Sequence, residues 1–182
     1  MIMTIGIFSL GLGVIHLLAG LGLAVTPAGS REWLRVFPRH VWIGRVLAAV
    51  ALAWSALLVW EMPLGWFDAY KQWLWVGAPV CYLLVVLFLD ELLASRALGG
   101  LLLLVPAPLL DAARFHESIW RLAPILLAYA WVILGILLVL GPYRFRKWVN
   151  VLCATEKRCQ WMAWGLLGLG ALFVVLALTA FR

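Results

Sequence analysis

The chain has 182 residues, of which 66% are hydrophobic and 12% charged, with a formal net charge of +6. An ordinary soluble domain carries about 25% charged residues, so this composition excludes a water-soluble globule of the same size. No polar block is long enough for a separate soluble module. The basic residues form no clustered soluble patch of the kind nucleic acid needs. The expectation is an all-α, polytopic transmembrane helix bundle, a single membrane domain over residues 1–182.

Six apolar stretches follow one another. The first, residues 2–25, lacks the basic leader and the small-residue cleavage site of a signal peptide and reads as a retained span. The second covers residues 41–60 and the third 73–89. The fourth, Ala97 to Leu110, has only 14 residues and contains Pro106 and Pro108, whereas a crossing helix needs ~20. It reads either as a re-entrant segment, leaving five crossings, or as a full crossing near 97–113. The crossing requires it to borrow Leu92 to Ser95 and Asp111 to Ala113. The fifth stretch is 122–140 and the sixth 162–181.

Basic residues choose between the two. Six crossings place Arg31, Arg35, Arg39, Arg45, Arg96, Arg144, Arg146, Lys147, Lys157 and Arg158 on one side, and Lys71, Arg114, Arg121 and Arg182 on the other. Five crossings divide the charges almost evenly. Short loops follow the positive-inside rule, which favours six crossings. The loops near 30–40, 90–97 and 142–161 then face the cytoplasm, and both termini lie outside a membrane of the bacterial inner type. Ten of the 12 tryptophans fall at or just beyond span ends, as in an aromatic belt. Only Trp54 and Trp131 lie well inside.

His16 sits deep in the first span, where an ionisable group is a candidate functional residue. It shares one helical stripe with Gly6, Ser9, Gly13 and Gly20, so the structural reading is an uncharged histidine buried in a close helix contact. A neighbouring hydroxyl, amide or backbone carbonyl would satisfy its ring, with Ser55, Tyr82 and Tyr129 as side-chain candidates. His16→Gln would then preserve folding. The competing reading is a ligand or proton-relay site. Haem held by two histidines is disfavoured, because His40 and His116 lie at opposite interfaces. Arg45, about one turn inside the second span, either snorkels to the headgroups or pairs with Asp90 or Glu91.

The loop before the fifth span gathers Asp111, Arg114, His116, Glu117 and Arg121. If it is helical, Arg114–Glu117 and Glu117–Arg121 stand at pairing distance. It reads as a solvated interfacial loop or as a polar site for a headgroup, cofactor or partner. Ala49, Ala53 and Ala56 on one face of the second span, Ala51 with Ser55 on another, and Gly165 with Gly168 in the last span read as packing devices. Gly13→Leu is expected to damage the bundle more than Leu12→Ala.

No hydrolase, zincin, P-loop or dinucleotide motif stands in a usable context, so no cofactor or metal is assigned. Cys81, Cys153 and Cys159 match neither redox nor zinc spacings. A shift of 79 residues aligns Gly20 with Gly99, Pro27 with Pro106, Ala28 with Ala107, Arg35 with Arg114 and Pro63 with Pro142, the mark of a 3+3 inverted repeat. The sparse polarity of the spans favours a structural or accessory subunit of a membrane complex. The alternative is a small transporter or binding protein for an apolar or amphipathic solute such as a quinone or lipid. An enzyme ranks third. Expected partners are the lipid bilayer and other membrane subunits or further copies of the chain, not nucleic acid. Single-cysteine labelling of intact cells should report residues 142–161 inside and residues 111–121 outside; labelling of both from one face would remove the fourth crossing.

Overall fold

The computed structural model of the chain describes residues 5–89, 92–114 and 116–181. Every regular element among them is helical, which suits a chain surrounded by lipid, since a helix satisfies its backbone polar groups within itself. The helices are α1 (Ile5–Val25), α2 (Pro27–Val36), α3 (Val41–Glu61), α4 (Leu74–Phe88), α5 (Leu93–Leu104), α6 (Pro106–Arg114), α7 (Leu122–Leu140), α8 (Tyr143–Leu152) and α9 (Glu156–Thr179). Short 3-10 segments lie at Phe37–Arg39, Gly65–Trp73 and Ile119–Arg121.

Six segments are long and apolar enough to cross a membrane: Ile5–Val25, Val41–Glu61, Gly65–Phe88, Leu93–Arg114, Ile119–Leu140 and Glu156–Thr179. The chain is thus an integral membrane helix bundle. The fourth segment reaches 22 residues by borrowing at both ends. It breaks at Val105, ahead of Pro106, whose ring and missing N–H interrupt the helical ladder. The sixth starts well before residue 162, because the Thr155 hydroxyl accepts from the Arg158 N–H at 3.3 Å and Glu156 suits the positive helix end. Residues 2–4 of the first stretch, and Arg182, lie outside the described residues.

Contacts at the two ends fix the number of crossings. At one end Arg31 donates to the carbonyls of Cys153 (2.9 Å) and Ala154 (2.8 Å), and the rings of Phe37 and Phe145 lie 5.4 Å apart. At the other end His116 meets Phe181 edge-on at 5.2 Å. A re-entrant fourth segment would have sent residues 31–37 and 145–154 to opposite ends. The first of these ends is called the basic end below and the second the far end.

The spans are held together where backbones touch. A Cβ on Gly13 of α1 would lie 2.9 Å from the Gly170 carbonyl oxygen of α9 and 2.7 Å from Val174 Cγ2. Gly20 is equally tight against Leu167, and Gly6 against the Phe181 carbonyl. The stripe predicted on α1 therefore faces the last span. A second pair of glycines, Gly99 of α5 and Gly135 of α7, meets in the same way, and Gly44 of α3 meets Ala94 of α5. Small residues permit such contacts in lipid.

Three expectations about packing are corrected. Gly165 and Gly168 touch nothing within 4 Å, and Gly170 is the residue that packs. On α3, Gly44 and Ala48 are buried, whereas Ala49 and Ala53 are exposed. Leu12 is itself a core residue, clustered with Leu109, Ala128 and Phe173, so its truncation is a poor control. The principal helix pairs also lack the symmetry of a 3+3 repeat: α1 packs on α9, yet α4 and α5, the equivalent pair, are not among them.

Gly11, one residue from Leu12, has nothing within 4 Å of an added Cβ. Gly13→Leu should therefore lower the melting temperature in detergent strongly, by overpacking worth ~1–3 kcal/mol or more, while Gly11→Leu should leave it close to that of the native chain. Equal shifts for the two variants would contradict the contact.

Candidate functional site

His16 is 8% exposed in the middle of α1. Its Nδ1 lies 2.7 Å from the Leu12 carbonyl oxygen, one turn earlier on the same helix. Across the helices its ring stacks on Trp131 of α7, with centroids 5.8 Å apart and planes 4° from parallel, and lies 6.3 Å from the Phe173 ring of α9. The hydrogen bond is thus to a backbone carbonyl of its own helix. Of the proposed side-chain partners, Ser55 bonds to the Leu52 carbonyl instead (2.9 Å) and Tyr129 is exposed. Trp131 is the residue that sequence reasoning missed. Both residues sit at mid-span in their helices, and that shared depth was the available signal. On the same stripe the Ser9 hydroxyl is buried with no hydrogen-bond partner among the described residues.

Arg45 places its guanidinium 5.7 Å from the Trp42 ring centroid, a cation–π contact one turn away. Its Nε is buried and unpartnered among the described residues. The expected partners Asp90 and Glu91 lie outside the described residues.

The helical pairing expected around Glu117 does not form, because α6 ends at Arg114 and residues 116–118 are not helical. Local side-chain bonds compete with the helix there: the Ser118 N–H donates to His116 Nδ1 at 3.2 Å, and the Trp120 N–H to the Ser118 hydroxyl at 3.3 Å. Arg121 donates to the carbonyls of His116 (2.7 Å) and Arg114 (3.3 Å), which ties the turn down. Asp111 and Glu117 are exposed. The cluster is a braced turn at the far end, and its two carboxylates converge on no shared pocket.

Cys153 and Cys159 are free thiols buried together with Leu23 and Ala163. Burial pushes the Cys153 thiol up to about 11, and the adjacent Cys159 adds to this. A thiol held protonated in this way is a poor nucleophile. Among the described residues no three His, Cys, Asp or Glu side chains are grouped to hold a metal ion.

An apolar groove lies elsewhere, between α3 and α4. Towards the basic end the two helices are joined where Tyr82, Val85 and Val86 pack against Ala48, Leu93 and Ala97. Towards the far end the rings of Trp60 and Trp75 meet edge-on at 5.9 Å. Between these two contacts the facing residues are small, including Ala49, Ala53, Ala56 and Ala78, and they leave a groove of about 540 Å³. Pro79 lines it and has no N–H to give the Trp75 carbonyl one turn back. Tyr82 brings a phenolic hydroxyl to the same lining.

No protein-family model matches the chain, and no curated protein or solved structure is similar to it.

The stacking of His16 on Trp131 generates a measurable expectation. His16→Phe, which keeps a flat ring, should retain more thermal stability in detergent than His16→Gln, which keeps only hydrogen-bonding capacity. A double-mutant cycle with Trp131→Leu should give a coupling of ~0.5–1.5 kcal/mol. A coupling near zero would mean that the rings merely sit side by side.

Proposed function

We propose that this integral membrane protein binds one lipid-like molecule, a quinone or a single-chain lipid, in the groove between α3 and α4. The groove volume carries the reading. A helix about 10–12 Å wide fills roughly 420–610 Å³ per turn, so a groove of about 540 Å³ receives little more than one turn of a partner helix. The same volume falls within the range of roughly 300–1,000 Å³ typical of small-molecule pockets. The lining residues are apolar apart from the polar groups of Trp60, Trp75 and Tyr82. A molecule with a long apolar body and one small polar group matches that lining, with Tyr82 offering a phenolic hydroxyl. Size therefore favours a solute-binding or small-transporter role over the accessory-subunit role that composition alone favours.

The accessory-subunit reading keeps one specific observation in its support. The third span, Gly65–Phe88, has none of its hydropathy-window residues buried, which leaves a whole helix face for a neighbouring subunit. In either reading the basic end is assigned to the cytoplasm by the positive-inside rule, in a bacterial-type inner membrane.

Filling the groove tests the proposal. A53W should fold with native helical content and melting temperature, because Ala53 is exposed and lines the open space. Mass spectrometry of extracts from the purified variant should show co-purifying quinone or lipid reduced several-fold against the native chain. An equal complement in both would overturn the groove as the binding site.

A further inference from the structure

We infer that the basic end carries a specific site for the phosphate of an anionic lipid headgroup, in the cleft where Arg35 and Arg39 meet Arg146 and Asn150 of α8. The cleft measures about 350 Å³, and Val36 and Val149 complete its lining. It is separate from the groove between α3 and α4, with which it shares no residue.

Its level in the membrane follows from chain length. Helix α2 starts at Pro27, immediately after α1 ends at Val25, and α8 starts at Tyr143, immediately after α7 ends at Leu140. Linkers of one residue (Thr26) and two residues (Gly141 and Pro142) cannot carry a helix beyond the headgroup layer. Both helices are amphipathic. Leu34 and Val149 turn inward, and Trp33 stands exposed beside the charged face. Short basic amphipathic helices of this kind lie in the interfacial plane.

The cations of the cleft are uncommitted. Arg31 belongs to the same surface, but its guanidinium is spent on the Cys153 and Ala154 carbonyls. That fork joins α2 to the end of α8 and so fixes the two walls of the cleft. Arg35, Arg39 and Arg146 make no hydrogen bond or ion pair with any other described residue. Three exposed arginines with no protein acceptor line one cleft and are free to bind an anion, and their planar forks match phosphate oxygens two at a time. Asn150 adds an amide donor. The exposed Val36 offers an apolar surface to the glycerol and the first methylenes of a lipid, which free phosphate would not use.

The wider charge distribution points the same way. By sequence position the basic end has ten basic residues against four acidic ones, whereas the far end has four of each. The whole net charge of +6 therefore stands over one leaflet, where it draws lipids of net negative charge over zwitterionic phosphatidylcholine, whose choline cation it repels.

The test uses the full chain purified in mild detergent. Phosphatidylglycerol, phosphatidylcholine and inorganic phosphate are each titrated while melting temperature and lipid retention in native mass spectrometry are followed. Phosphatidylglycerol should raise the melting temperature and remain bound as a single molecule, and the other two should do neither. R35Q/R146Q should weaken phosphatidylglycerol binding ~10-fold or more, because two charge-assisted guanidinium contacts to the phosphate are lost. K147Q/K157Q, which removes the same charge outside the cleft, should weaken it less than threefold. R35K/R146K keeps the charge and guards against misfolding of the glutamine variant; it should still lose affinity several-fold, because an ammonium cannot form the paired hydrogen bonds. Equal losses in the two glutamine variants would reduce the site to diffuse surface charge and overturn it. Protection by inorganic phosphate as strong as that by phosphatidylglycerol would identify a soluble phosphate ligand and overturn the lipid assignment.

Discussion

Apolar side chains gain nothing by leaving lipid tails for one another, so a membrane bundle needs some other reason to close. In this chain the reason is direct backbone approach at Gly13 and Gly170, where a single methyl group would already collide with a carbonyl oxygen. That contact joins the first and last spans. It also sets the depth at which Leu12 and Phe173 meet Leu109 and Ala128, and at which His16 reaches Trp131. Gly99 with Gly135, and Gly44 with Ala94, extend the same device to the fourth, fifth and second spans. The third span is outside this scheme: its two glycines, Gly65 and Gly77, have nothing within 4 Å of an added Cβ.

Helix α3 uses two faces made of small residues for opposite purposes. One face, with Gly44 and Ala48, is pressed against α5. The other, with Ala49, Ala53 and Ala56, looks across open space at α4. Small residues shorten the distance between helices only when the partner also offers a flat surface. Opposite α4 they meet Trp75 and the Pro79 break instead, so the same residue type that closes one interface opens the other. The wedge of tryptophans at the far end keeps the helices from collapsing into the gap.

Much of this architecture was legible in the sequence. Hydropathy and charge asymmetry located the spans and separated six crossings from five. The repeat of Gly6, Gly13 and Gly20 marked the packing face of α1. Composition could not identify the partner of that face, because an Ala- and Gly-rich span has several small stripes and only tertiary fit selects one. Gly165 and Gly168 were therefore chosen where Gly170 packs. The loop after Arg114 was misread because helical spacing assumes a helix, and the Ser118 and His116 side chains cap the backbone locally instead. For the candidate sites, the basic loops were visible as charge, but their convergence into a cleft depends on Arg31 reaching a carbonyl 122 residues away. No periodicity in α3 or α4 announces such a pairing, and the groove between them was legible only as a set of alanines.

Helix α4 reaches the bundle through α3 and through its own half nearer the basic end, while its other half borders the groove and meets α3 at Trp60 and Trp75. A molecule entering there arrives sideways from the bilayer and crosses no aqueous gate. Its supply is then a two-dimensional solution, in which the relevant concentration is a mole fraction of membrane lipid and not a molarity. Occupancy would follow the composition of the surrounding leaflet, so that a change in the lipid pool alters the state of the protein with no change in the water on either side.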